Sequence, residues 1–182
     1  MLKYSSRFAA LLALLSLLCS LASFGSDLIL AQAQPAQPTN NEAAKKPKLV
    51  DLWQPGDAGH RMNIRGRVTS LDGTPLSGVG IAIRQADGTG DYTGRYSTTL
   101  RTDAKGRYQF GSVIPGNYLG LRHVHISVYH EGYQYFDSRI LFKGDPNLDG
   151  LSEVEEAVFL EESTVNEETI HFGRFDIVLI PG

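Results

Sequence analysis

Hydrophobic and polar residues alternate along several short stretches of the chain, as they do in strands that bury one face of a sheet. In the first stretch, residues 62–68, apolar side chains recur at every second position, while Arg65 and Arg67 fall on the opposite face. Stretches with the same spacing follow at 79–83, 108–110, 122–129, 135–142 and 172–180. This pattern predicts a series of short strands with one buried face each.

Turn sequences separate these stretches. Asp72-Gly73 followed by Pro75, the run 103–106, and Pro115-Gly116 all carry residues that favour a reversal of the chain. The chain has 19 glycines and 8 prolines, which agrees with many turns and few helices. Short strands joined by such turns predict an all-β fold, a β-sandwich of mostly antiparallel strands.

An acidic stretch from Asp149 to Glu168 interrupts the strand pattern. It carries many glutamates among a few apolar side chains, of which Phe159 is the largest. We expect a short helix or a solvated loop over one edge of the sandwich. A run of like charges favours a wet surface over a metal site.

The N-terminal residues 1–33 have the features of an export signal. Lys3 and Arg7 provide a positive start, residues 8–24 form an uncharged apolar run, and Ala31-Gln32-Ala33 fits a small-x-small cleavage site. We therefore expect cleavage after Ala33 and a periplasmic or extracellular protein. The alternative is an uncleaved signal that anchors the chain, and this would be its only contact with a membrane.

Composition then divides the rest of the chain. Residues 34–48 are rich in Gln, Pro, Asn, Ala and Lys without an apolar period, which predicts a flexible linker. Residues 49–182 form the predicted folded domain.

The formal net charge of −3 argues against nucleic acid as a partner. Exposed strand edges need cover, and a homo-oligomer is one arrangement that would supply it.

His123 and His125 lie within the alternating stretch 122–129. Val124, Ile126 and Val128 would face the core, so both imidazoles would project from the other face. Residues two apart along a strand are separated by about 6.6–6.8 Å, which lets their imidazoles converge on one cation. Two polar residues on a solvent-exposed face would show the same pattern, so the pair alone leaves both interpretations open.

Two tyrosines follow turn sequences near the predicted strand ends. Tyr92 comes after Gly88-Thr89-Gly90, and Tyr118 comes after Pro115-Gly116-Asn117. Phenolates are hard anionic ligands that suit Fe(III), and a trivalent ion lowers the phenol pKa from its usual value of about 10. For each tyrosine taken alone, ordinary packing is the favoured interpretation, because the chain has eight of them.

The order of these motifs resembles that of the intradiol ring-cleavage dioxygenases, the family of catechol and protocatechuate 3,4-dioxygenases. The resemblance spans about residues 56–146 and suggests a compact, exported branch of the family. The matching runs are 65–68, 72–76, 81–87, 102–110, 115–118, 123–126 and the strand 141–146 that ends in Gly-Asp-Pro.

The resemblance implies a non-haem Fe(III) held by Tyr92, Tyr118, His123 and His125. It implies that a catechol chelates this ion, that Tyr118 leaves and takes up a substrate proton, and that O2 opens the ring between the two hydroxyl-bearing carbons. The expected product is a cis,cis-muconate, so the chain would be an enzyme of aromatic compound catabolism.

Three positions depart from the family pattern. The family usually has tryptophan at Arg84, arginine at Gly120 and glutamine at Arg139. The arginine that usually precedes the first histidine is therefore missing, and we expect Arg122, Arg84 or Arg139 to supply its charge. Arg122 is the candidate catalytic residue nearest in sequence to the histidine pair, although strand alternation would direct its side chain to the opposite face.

The main alternative is a non-catalytic binding module of the transthyretin-like or carboxypeptidase-regulatory-like kind. Such sandwiches share the Asp-Gly-x-Pro-Leu, Thr-Asp-x-x-Gly-x-Tyr-x-Phe and Pro-Gly-x-Tyr motifs, which build turns and core rather than a catalytic site. A copper or zinc protein with a His-x-His motif is a third alternative. The sequence offers no further histidine cluster for such a site, because His60, His130 and His171 are scattered along the chain.

Overall fold

The computed structural model describes residues 47–148, 150 and 157–182. The predicted signal peptide and most of the predicted linker lie outside this range. Ten strands form in the described residues. They are β1 Val50–Asp51, β2 Arg61–Ser70, β3 Gly80–Gln85, β4 Ser97–Arg101, β5 Arg107–Val113, β6 His123–Tyr129, β7 Phe136–Leu141, β8 Glu161–Val165, β9 Glu168–Arg174 and β10 Ile177–Leu179.

The strands form two sheets, which confirms the predicted β-sandwich. The larger sheet has six strands in the order β1-β5-β2-β9-β8, with β10 also paired to β2, and the smaller has the order β4-β3-β6-β7. No helix occurs in the described residues. None of them therefore provides a helix with the length and apolar character needed to cross a membrane.

The core lies between the two sheets. Met62, Ile64 and Val68 contribute from β2, and the side chains of Val124 and Ile126 contribute from β6; all five are fully buried. Full burial of a side chain of this size stabilises the fold by roughly 1.5–3 kcal/mol. The predicted inner faces of both strands are therefore confirmed, and the outer face of β6 is left for polar side chains.

The predicted strand 172–180 is two strands, because the pairing with β2 is interrupted at Phe175 and Asp176 and then resumes in the same register. The side chain of Asp176 accepts a hydrogen bond from the backbone N–H of Arg67 (2.9 Å), in place of a backbone carbonyl. The Phe175 carbonyl accepts a hydrogen bond from the Tyr108 hydroxyl (2.5 Å). Gly66 permits this close approach of the Phe175 backbone, since a Cβ there would lie 1.8 Å from the Phe175 oxygen.

The acidic stretch differs from the expectation in its last eight residues, whereas residues 157–160 form no strand or helix. Residues 161–168 form β8 and the turn into β9 instead of a helix or an irregular loop. Asn166 and Glu167 both have positive φ, as a tight hairpin turn requires. All five residues of β8 are exposed, so this edge strand has no buried face to produce an alternating sequence. Asp149 and residues 151–156 lie outside the described residues.

Candidate metal centre

His123 and His125 lie on the outer face of β6, opposite the core. Their Nε2 atoms are 3.1 Å apart. His123 is only 7% exposed, whereas His125 is half-buried. The alternation of β6 therefore directs both imidazoles to the same point, as its sequence predicts.

A backbone carbonyl orients His123. The Nδ1–H of His123 donates to the carbonyl oxygen of Leu121 (3.0 Å), since a carbonyl can only accept. This hydrogen bond leaves Nε2 of His123 unprotonated and directed at His125, the tautomer that a metal ligand needs. The Nε2–H of His125 then donates to His123, and a metal ion bound between them would replace that proton.

The turn after β3 carries Tyr92 and is held by Asp87. The Asp87 carboxylate accepts hydrogen bonds from the backbone N–H groups of Thr89 (2.8 Å), Gly90 (3.1 Å) and Asp91 (3.1 Å). The hydrogen bond from the Thr89 hydroxyl is the main cause that lowers the pKa of Asp87, and the backbone donors lower it further. The carboxylate therefore stays charged and holds the turn at neutral pH.

Two glycines allow this turn to pack against the loop that carries Tyr118. A Cβ on Gly116 would lie 2.4 Å from the backbone nitrogen of Gly90, and a Cβ on Gly90 would lie 2.5 Å from the carbonyl oxygen of Asn117. The N–H of Gly116 also donates to the Asp87 carbonyl (2.8 Å). Because backbone packs directly on backbone, the two tyrosine-bearing loops hold each other in place.

The rings of Tyr92 and Tyr118 consequently meet above the histidines. Their centroids are 4.6 Å apart, and each tyrosine also approaches one histidine, with centroid distances of 6.4 Å from Tyr92 to His125 and 6.3 Å from Tyr118 to His123. The structure thus brings together all four residues predicted as metal ligands.

This donor set fits a ferric ion. If two imidazole nitrogens each lie about 2.1 Å from one ion, with a right angle between the two bonds, the nitrogens are about 3.0 Å apart. The 3.1 Å between the Nε2 atoms of His123 and His125 agrees with this distance. Two phenolates supply the hard anionic donors that Fe(III) prefers. Among the described residues there is no group of three or more His, Cys, Asp and Glu that could hold a metal. The copper or zinc alternative therefore gains no support from them.

The surroundings shift the pKa of two of these groups. Burial raises the pKa of the Tyr92 phenol, Arg84 opposes this rise, and Tyr118 adds to it. Burial also lowers the pKa of the His125 imidazole, and the neighbouring His123 and Arg84 lower it further. At neutral pH the metal-free site thus holds a protonated Tyr92 and a neutral His125, so metal binding must release a proton from the phenol.

Arginines flank the site on the outer face of the smaller sheet. Arg84 on β3 and Arg139 on β7 both lie directly opposite His125 in the strand register. A depression of about 360 Å³ beside His125 is lined by Arg84 and by the hydroxyl-bearing Ser97 and Ser127. Two of the three arginines considered from the sequence therefore lie next to a candidate ligand.

Arg122 lies elsewhere. Its backbone N–H donates to the Asp145 carboxylate (2.8 Å), and its side chain is exposed. The Asp145 carboxylate also accepts a hydrogen bond from the backbone of Asn147 (3.0 Å). Burial alone would raise the pKa of Asp145, but these hydrogen bonds and the charge of Arg122 lower it overall. The structure therefore places Arg122 beside Asp145, and its predicted catalytic role stays a prediction.

The connection from Tyr118 to the histidines is a tight turn. Leu119 and Gly120 both have positive φ, and backbone hydrogen bonds of 3.3 Å join Tyr118 to Leu121 in both directions. Leu119 is 87% exposed, and a Cβ on Gly120 would meet no atom within 4 Å. The turn beside Tyr118 is thus exposed, while Tyr118 itself is half-buried and Tyr92 is 36% exposed.

Some of the residues that build the site were not predicted from the sequence. The side chain of Asp87 anchors the first loop, and its signal is the sequence Asp-Gly-Thr-Gly, in which an aspartate caps its own turn. The Leu121 carbonyl orients His123 through backbone alone, so no side-chain pattern could reveal it.

Comparison with protein families gives a partial match. The family model of the carboxypeptidase regulatory-like domain matches residues 63–138, less than half of the chain. A curated relative, catechol 1,2-dioxygenase 2 of Acinetobacter lwoffii, is 29% identical over 50% of this chain and 43% of that protein. The chain thus spans less than half the length of this relative.

Solved structures share the fold. The dioxygenase domain of a dioxygenase carbohydrate-binding protein fusion from Streptomyces sp. SirexAA-E superposes with a TM-score of 0.62 at 24% identity, covering 83% of this chain and 96% of that chain. Catechol 1,2-dioxygenase from Pseudomonas arvilla C-1 gives a TM-score of 0.66 at 22% identity, covering 76% and 59%. These structures confirm the predicted fold, and the similarity to the curated catechol 1,2-dioxygenase agrees with the resemblance predicted from the sequence motifs.

Proposed function

Because the chain resembles the intradiol ring-cleavage dioxygenases in fold and in sequence motifs, we propose that it is a non-haem Fe(III) enzyme of this kind. It would open a catechol-type ring with O2 between the two hydroxyl-bearing carbons and give a cis,cis-muconate type product. The observation that carries the proposal is the convergence of two tyrosines and two histidines on one point, with 3.1 Å between the histidine Nε2 atoms.

Four side chains would hold the metal. His123 and His125 bind through Nε2, and Tyr92 and Tyr118 bind through their phenolate oxygens. When bound, Fe(III) supplies Lewis acidity and orientation for a chelating catechol. The two phenolates offset part of its charge, which favours the trivalent state.

Tyr118 is the ligand suited to leave when substrate binds. It lies at the start of the exposed Leu119-Gly120 turn, whereas Tyr92 follows a turn that Asp87 holds with three backbone hydrogen bonds. The phenolate oxygen of Tyr118 would then accept a proton from a catechol hydroxyl. Tyr92, His123 and His125 would keep holding the metal.

Arg84 and Arg139 are the residues placed to balance negative charge on a bound substrate. Both lie opposite His125 on the neighbouring strands, on the same face as the metal ligands. A guanidinium remains charged at all relevant pH values, so either can act as a fixed electrostatic partner. This placement compensates for Gly120, which stands where the family usually has arginine.

The direct test is oxygen uptake by the iron-loaded protein with a panel of catechols, together with mass analysis of the product. We expect one O2 consumed per ring opened and a muconate-type product. Tyr118→Phe should retain iron and lose most of the turnover. A catechol-induced spectral change without oxygen uptake on any substrate would contradict the enzyme proposal and favour a binding module.

Export to the periplasm or the cell exterior is part of the proposal. It rests on the positive start, apolar run and Ala-x-Ala sequence of residues 1–33. Intact-mass measurement of protein recovered outside the cytoplasm should give a chain that begins at Gln34. A product that retains Met1 would contradict cleavage and support the anchored alternative.

A further inference from the structure

A second polar groove lies on the outer face of the larger sheet, on strands that carry none of the four metal ligands. It has a volume of about 380 Å³ and crosses β5, β2 and β9. Four arginines line it, together with Asp176 and the apolar ring of Phe172. The arginines are Arg65, Arg67, Arg107 and Arg174. Such a concentration of arginine is unexpected in a protein whose formal net charge is −3.

The strand register places these arginines in like-charged pairs. Arg67 lies directly opposite Arg107 between β2 and β5, and Arg65 lies directly opposite Arg174 between β2 and β9. Like charges directly opposite one another on neighbouring strands destabilise a sheet. The like-charged pairs therefore lower the folding stability of the free protein, and a bound anion would remove this repulsion.

Acidic neighbours offset only part of this charge. Asp103 receives two N–H groups of Arg107 (2.8 Å each), and Asp176 receives two N–H groups of Arg174 (2.7 Å each). The exposed side chains of Arg65 and Arg67 form no ion pair or hydrogen bond with any described residue. Arg107 and Arg174 are thus held by aspartates. The guanidinium N–H groups of Arg65 and Arg67 remain available to a ligand.

We propose that this groove binds an organic anion that carries at least two carboxylate groups. Guanidinium groups bind carboxylates through two parallel hydrogen bonds, and adjacent strands separate them by about 4.8 Å. Phe172 adds an apolar wall for the carbon skeleton between the carboxylates, which favours an organic ligand over inorganic phosphate. The site is independent of the metal centre and of the proposed dioxygenase activity.

The binding test uses the full chain without added metal and isothermal titration with three probes. They are cis,cis-muconate as a small dicarboxylate, an oligogalacturonate as an acidic polysaccharide, and inorganic phosphate. We expect one of the two organic probes to bind with one site per chain. Arg65→Gln and Arg67→Gln should each weaken that binding about tenfold, the loss of one charge-assisted contact. Arg101→Gln, an exposed arginine on the other sheet, serves as control and should leave it unchanged.

A second measurement separates a ligand site from arginines with only a structural role. Without ligand, Arg65→Gln should raise the melting temperature, because it removes a like-charged pair; with ligand, the wild-type chain should gain more thermal stability than the variant. A melting temperature lowered by Arg65→Gln, organic binding that survives both groove substitutions, or binding of phosphate alone would each overturn the proposal.

Discussion

The Nε2 atoms of His123 and His125 lie 3.1 Å apart, and a backbone carbonyl fixes the ring of His123 from behind. At this separation one Nε2 carries the shared proton, and the other has none and is able to bind a metal. The hydrogen bond from His123 to Leu121 fixes which nitrogen that is. Such preorganisation reduces the ordering that metal binding requires.

Replacing one of these histidines should abolish the metal site. We expect His125→Ala to lose iron retention, because one ligand and the partner of His123 Nε2 both disappear. The matched control is His130→Ala, whose ring stacks on Tyr133 at the other end of β6. Iron content by mass spectrometry and the tyrosinate-to-iron absorption band measure the outcome. Full iron retention in His125→Ala would contradict the proposed ligand set.

The packing of glycine against glycine gives a second prediction. Gly116→Ala should push the two tyrosine loops apart, since its Cβ would lie 2.4 Å from the Gly90 nitrogen. We expect a stability loss of about 1–3 kcal/mol, as for other overpacked sites, and weaker iron binding. Denaturant unfolding and iron titration are the measurements.

Gly80→Ala provides the steric control for that experiment. A Cβ at Gly80 would meet the ring of Tyr129, 2.1 Å from its nearest atom, and that exposed side chain can move away. The Gly80→Ala substitution should therefore leave the iron affinity unchanged. Equal loss of iron affinity in both glycine variants would show that the contact between the loops is not what positions the tyrosines.

Much of the fold was predictable because buried strands leave a period of two in the sequence. The inner faces of β2, β3 and β6 are confirmed, as is the turn at 103–106. The exposed strand β8 and the interruption at Phe175 left no such period. An edge strand with no buried face carries no apolar alternation, and the interruption depends on contacts with the partner strand.

The candidate site was predictable for a different reason. Strand alternation gives the common direction of His123 and His125. The turn sequences suggested that Tyr92 and Tyr118 lie at strand ends, whereas both lie in the loops between strands. Their meeting point depends on backbone packing between two loops distant in sequence, which residue types alone do not specify. The positions of Arg84 and Arg139 likewise required the register of three strands.

Asp145 offers a test of how the start of β6 is held. Its buried carboxylate accepts the Arg122 N–H (2.8 Å) and the Asn147 N–H (3.0 Å). Asp145→Ala leaves both donors without this acceptor and should destabilise the protein by about 1–3 kcal/mol. Asp145→Asn keeps one carbonyl oxygen and should lose less. Chemical denaturation of the three proteins at neutral pH checks this order, and equal stability would show that water replaces the carboxylate.

The last prediction concerns which arginine supports turnover. The charge of Arg84 acts to lower the pKa of both Tyr92 and His125, so it affects two of the four candidate ligands. Loss of one preorganised charge partner costs about 10²–10³-fold in rate at a buried site. Arg84 is exposed, so solvent screening reduces this effect, and we expect Arg84→Gln to lower kcat for a catechol about tenfold.

Three further substitutions complete this experiment. Arg84→Lys keeps the charge and should recover part of kcat, whereas Arg101→Gln on the far end of the same sheet should leave kcat unchanged. Arg122→Gln tests the residue predicted from the sequence. Oxygen uptake at saturating catechol, with iron content verified for every variant, separates loss of turnover from loss of metal. Normal kcat in Arg84→Gln together with a loss in Arg122→Gln would transfer the charge-balancing role to Arg122, and would mean that its side chain reaches the substrate from beside Asp145.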